Sequence, residues 1–93
     1  MNYLMQFGFS DMDIEEIEEQ IDDFDYIEYT LKQDKVCDVI NYFKSIGITN
    51  IKDLLIVKGY LFYEPLEELK SEIKIEMVPY INADVSYLDR VGI

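Results

Sequence analysis

The chain has 93 residues, 49% of them hydrophobic and 30% charged, with 20 acids against 8 bases and a formal net charge of −12. A chain of this length makes one domain and buries roughly 60–68% of the surface its unfolded form exposes, and its apolar content excludes a disordered polar segment. Phosphate backbones and anionic leaflets are repelled by such a surface; with no histidine and only Cys37, an internal disulfide, a cysteine-rich zinc site and a Ser-His or Cys-His pair are excluded too.

The first element, YLMQFGF at residues 3–9, has counterparts in YFKSIGI at 42–48 and YLDRVGI at 87–93. Cap geometry accounts for the pattern. With Gly8, Gly47 and Gly92 at C′, a left-handed conformation costs glycine little, and the flanking apolar residues take the C″ and C3 positions that touch in a Schellman cap. Ser10 and Thr49 follow as N-caps, and Ser10 with Asp13 forms a loose capping box. The next helix carries Ile14, Ile17 and Ile21 on one face, with Phe24 as its next position, and acids elsewhere. Thr30 with Gln33 is a second capping box, opening a helix striped by Val36, Val39, Ile40, Phe43 and Ile46. Ile51, Leu54 and Leu55 mark a shorter helix stopped by Gly59. Pro65 at N1 starts one bearing Leu66, Leu69, Ile73 and Met77, ended by Pro79, and Asn82 caps a last helix with Val85, Leu88 and Val91.

The reading is all-α, a single domain over residues 1–93 built from about six or seven short helices. The alternative is α+β, with a small sheet from 24–31 and 54–63, because FDYIEYTL alternates and LLIVKGYLFY reads as two strands about Lys58-Gly59. The motif copies start 39 and 45 residues apart, a period of helical repeats, which divides the chain into units at about 3–41 and 42–86 with 87–93 as a cap. Within the second unit, SIGITNIKDLLIVKGYLFYEPLEELKSEI at 45–73 resembles the mitochondrial transcription termination factor (mTERF) repeat: a helix ending in an apolar-Gly-apolar corner, a second helix, an extended or 3₁₀ segment, then a Leu-rich helix. FGFSDMDIEEIEEQI at 7–21 matches more loosely, and Lys58-Gly59 stands where the family repeat usually has Pro. The resemblance implies a stacked helical array and nucleic-acid binding.

No chemistry-bearing motif points to an enzyme, a catalytic residue or a cofactor. The four glycines are dispersed, so no phosphate loop is present. Asp11, Asp13 and Glu15 alternate as in a calcium loop, but Glu16 stands where an EF-hand needs Gly, and acids in a first helical turn complement its dipole. Asp22, Asp23 and Asp25 form the other acidic group, a solvated loop or a weak hard-cation site. Tyr26, Tyr29, Tyr60, Phe62 and Tyr63 read as inter-unit core with hydroxyls at the rim, and Cys37 as a buried small hydrophobe.

Charge carries the functional information. Residues 1–31 hold ten acids and no Lys or Arg, hence −10 of the net −12. The expectation is a non-catalytic interaction module whose N-terminal third, through Asp11, Asp13, Glu15, Glu16, Glu18, Glu19, Asp22, Asp23 and Asp25, binds a basic partner protein; its stronger form is a nucleic-acid mimic. The rival is nucleic-acid binding through Lys32, Lys35, Lys44, Lys52, Lys58, Lys70 and Lys74, which the overall charge disfavours. No apolar run reaches the ~20 residues of a membrane span, and the start lacks a basic region and cleavage site, so the expected location is cytoplasmic.

Overall fold

Three left-handed glycines set the course of the chain. In the computed structural model, which describes residues 1–93, Gly8, Gly47 and Gly92 have φ of 92°, 98° and 81°, and no other residue has positive φ. At the second corner the Gly47 and Ile48 amides donate to the Lys44 and Phe43 carbonyls, and at the third the Gly92 and Ile93 amides donate to Asp89 and Leu88, which is the Schellman pattern. The first corner ends a 3₁₀ turn, Asn2–Phe7, and only the Gly8 amide bonds back, to Met5.

The architecture is all-α, with no strand. Seven α-helices follow in order: α1 Asp11–Gln20, α2 Asp23–Leu31, α3 Gln33–Ile46, α4 Ile51–Val57, α5 Leu66–Glu72, α6 Val78–Ala83 and α7 Tyr87–Arg90; Gly59–Tyr63 and Ile75–Met77 are further 3₁₀ turns. Residues 24–31 are therefore helix. Asp22 takes an extended conformation and its carboxylate accepts the Asp25 amide at 2.8 Å, which nucleates α2. Apolar residues on opposite faces of α2 produce the alternation that resembles a strand. Segment 54–63 divides into α4 and a 3₁₀ turn.

Several expected boundaries move. The first amphipathic stripe stops at Ile21, which is extended with ψ of 157°, so Phe24 belongs to α2 and lies exposed. Thr30 does not cap α3; its hydroxyl donates to the Tyr26 carbonyl inside α2, a back-bond open to any Thr in a helix. Asn50, not Thr49, occupies the N-cap of α4. Pro65 sits one residue earlier than N1, at the N-cap of α5, and α5 ends at Glu72 rather than reaching Pro79. Pro79 instead lies in the first turn of α6, where its missing N–H costs nothing. Asn82 lies within α6, and Ser86 precedes α7.

One core of 19 buried residues joins all parts. Tyr29 and Phe62 pack edge-on at 6.3 Å, and Phe62 meets Phe43 at 5.4 Å. The tyrosine group is thus split: Tyr29 and Phe62 are buried, Tyr63 is half-buried, and Tyr26 and Tyr60 are exposed. Cys37 is half-buried, with its sulfur accepting from Gln6, and burial raises its thiol pKa. Three tyrosine hydroxyls reach carbonyls near helix ends that lack intrahelical partners: Tyr3 to Tyr29 at 2.8 Å, Tyr29 to Leu55 at 2.7 Å and Tyr42 to Ile73 at 2.6 Å. Each links elements far apart in sequence. Gly59 is required by space: a Cβ there would stand 2.4 Å from Asp25 Oδ2 and 2.6 Å from the Tyr29 hydroxyl.

Each corner also has a carbonyl held from elsewhere. Lys44 donates to Phe7 at 2.8 Å, Asn82 to Gly47 at 3.0 Å, and Lys58 to Ile93 at 3.4 Å. Asn82 additionally accepts the Thr49 amide at 2.9 Å while Asn50 donates to Ile81, locking α6 across the second corner.

Candidate functional site

The acidic block is laid out on α1, the corner at Ile21-Asp22, and α2. Helix α1 begins with a reciprocal capping box: the Asp13 amide donates to Ser10 Oγ at 3.1 Å, and the Ser10 amide donates to Asp13 Oδ2 at 3.0 Å. Those bonds from Ser10, with help from Lys52, hold the Asp13 carboxyl below the usual carboxylate range. Ile14 and Ile17 bury the inner face, which leaves Glu15, Glu18 and Glu19 on the outer one.

The nine predicted site residues fall into two groups. Four are engaged within the protein. Asp13 and Glu16 both pair with Lys52 on α4, whose ammonium they raise in pKa, Glu16 most strongly. Asp22 caps α2. Asp25 accepts the Tyr63 hydroxyl at 2.6 Å, and burial, with Asp25 beside it, raises the Tyr63 phenol. The other five, Asp11, Glu15, Glu18, Glu19 and Asp23, are exposed and form no salt bridge or side-chain hydrogen bond. The block is therefore not uniform: part of it builds the fold, and five carboxylates face water without counter-charge.

Three of the seven lysines are spent on ion pairs within the protein. Lys32 pairs with Glu28 one turn back on α2 at 2.6 Å, Lys52 holds α1, and Lys58, 8% exposed, pairs with Asp89 on α7. Lys58 therefore serves as a structural tie. Lys44 and Lys52 share an open cleft of about 510 Å³ between the first two corners, lined also by Phe7, Phe9, Ile48 and Ile51. In that cleft Lys52 is neutralised by its two carboxylates and Lys44 is bound to the Phe7 carbonyl.

No group of three or more metal-ligating side chains converges. Asp22 and Asp25, two of the acids at the Ile21-Asp22 corner, are committed to the α2 amide and to Tyr63. No helix is long and apolar enough to cross a membrane.

Two features of this surface were not read from the sequence. Lys52 lies 39 residues from Asp13, and no local spacing announces that pair. The other is the outer face of α2, where Phe24, Ile27 and Leu31 are 62%, 53% and 74% exposed. Its signal was present, since the three stand at i, i+3 and i+7, but an apolar stripe at helical spacing ordinarily marks a buried face. No protein-family model matches the chain, and neither a curated protein nor a solved structure matches it.

Proposed function

We propose that the chain is a non-catalytic protein-interaction module whose acidic N-terminal third binds a basic partner in the cytoplasm. One observation carries the reading: Asp11, Glu15, Glu18, Glu19 and Asp23 form an exposed run on α1 and the start of α2 with no cation spent on any of them. Carboxylates left in water keep their long-range field, which acts over a Debye length of roughly 8 Å and speeds encounter with a positive surface. In its stronger form the module occupies the basic groove of a nucleic-acid-binding protein. The test compares capture of lysate proteins by wild type and by the Glu15→Gln, Glu18→Gln, Glu19→Gln variant at low and high salt; Glu16 is left alone because it holds Lys52. Loss of captured basic proteins in the variant and at high salt supports the reading. Capture indifferent to both overturns it.

A further inference from the structure

The outer face of α2 is an apolar stripe inside the acidic surface. Phe24, Ile27 and Leu31 lie three and four residues apart, hence on one side of the helix, opposite Tyr29, which is fully buried. Ile27 and Leu31, with Tyr26 and Thr30, line a shallow, open apolar depression of about 240 Å³. Asp23 flanks the stripe, and Glu18, Glu19 and Asp22 precede it across the corner. Lysines enter only at the far end, where Lys32 is already held by Glu28.

We propose that this face docks a basic amphipathic helix of a partner protein, its apolar stripe on Ile27 and Leu31 and its Lys/Arg side chains over the unpaired acids on either side of the corner, Glu18, Glu19 and Asp23. The inference rests on the proposed binding of a basic partner and adds what part of that partner is grasped. Charge selects this occupant. A second copy would set −12 against −12, and four side chains between 42% and 74% exposed fall far below the ~800 Å² per partner of a stable dimer. A short helix lying on a stripe with anchors at i, i+3 and i+7 needs much less, and its cations meet unpaired carboxylates.

Three labelled peptides test it: oligolysine, a Leu/Lys peptide with its leucines on one helical face, and the same composition with the leucines scattered. Fluorescence anisotropy is measured on wild type, on Ile27→Gln with Leu31→Gln, and on the Glu15→Gln, Glu18→Gln, Glu19→Gln variant. Glutamine favours helix, and both apolar positions are more than half exposed, so the first variant keeps its circular dichroism. The proposal expects the one-faced peptide to bind wild type about tenfold or more tighter than the scattered one. Ile27→Gln with Leu31→Gln abolishes that difference and leaves oligolysine binding unchanged. Equal affinity for the two Leu/Lys peptides overturns the proposal while oligolysine binding keeps the acidic reading intact. Absence of oligolysine binding overturns the acidic reading, and one-faced binding that ignores the Glu variant overturns the charge selection proposed here. A wild-type dimer dispersed by the Ile27→Gln, Leu31→Gln variant makes a second copy the occupant and also overturns it.

Discussion

Helices α1 and α4 occupy the same place, each following a glycine corner, and they pack against each other. Their sequences divide the work differently. Ten residues of α1 include six acids and bury two isoleucines, with a side-chain capping box at the start. Seven residues of α4 bury Ile51, Leu54 and Leu55, carry one acid, and have no side-chain cap. Helix α4 is held by burial and by α1's carboxylates on Lys52, whereas α1 is fixed at its start by local hydrogen bonds and presents charge outward. Local capping allows the outward-facing helix to give most of its positions to solvent.

Substitutions that act on one helix and not the other sharpen the contrast. Leu55→Ala in α4, at a fully buried position, should cost about 2–5 kcal/mol in denaturant unfolding, the largest single effect. Gly59→Ala, just past α4, forces a methyl onto Asp25 and Tyr29 and should cost about 1–3 kcal/mol, with α2 losing amide protection first. Ser10→Ala removes the α1 cap and should cost about 1 kcal/mol, with exchange rising at the start of α1. A smaller effect depends on pH. Because the folded Asp13 carboxyl lies below its unfolded value of about 3.9, its contribution is whole above that pH and disappears as pH falls through the lower folded value. Asp13→Asn should therefore lower stability at neutral pH and flatten the acid limb of a melting-temperature profile. Smallest is the Glu15→Gln, Glu18→Gln, Glu19→Gln variant, whose melting temperature should stay level or rise slightly at low salt while oligolysine binding falls. A loss of stability comparable to Ser10→Ala would make those acids structural and erase the division between the helices.

The corners were legible because a Schellman cap is written within seven consecutive residues: Gly47, Ile48 and Phe43 stand as that geometry requires. The Ser10–Asp13 box and the buried faces of α1, α3 and α4 were legible for the same reason. Thr30 with Gln33 had the spelling of a box, yet Asp22 had already started α2 upstream, and Thr30 was absorbed as an interior residue. Asp22 followed by Asp23 and Asp25 was the available signal for that start; the stripe continuing into Phe24 outweighed it. Asn82 and Lys58 were opaque, because an amide 35 residues from Gly47 and an amine 31 residues from Asp89 are tertiary partners with no local spacing. Within the acidic block, composition located the charge but could not show which carboxylates Lys52 and Tyr63 had taken.

The carbonyl ties at the corners bear on how the chain comes apart. A stacked array in which each unit contacts only its neighbour can open unit by unit from an end. Here the second corner is closed by Asn82 near the far end of the sequence, and the third is tied back to Lys58 at the end of α4. Loosening α6 leaves the Gly47 carbonyl and the Thr49 amide without partners, and loosening α7 leaves the Lys58 ammonium without its own, so fraying at the end of the chain is transmitted inward. Unfolding then proceeds as one transition, and the slowest amide protons should lie in α3 and α4 together rather than in separate blocks for each unit.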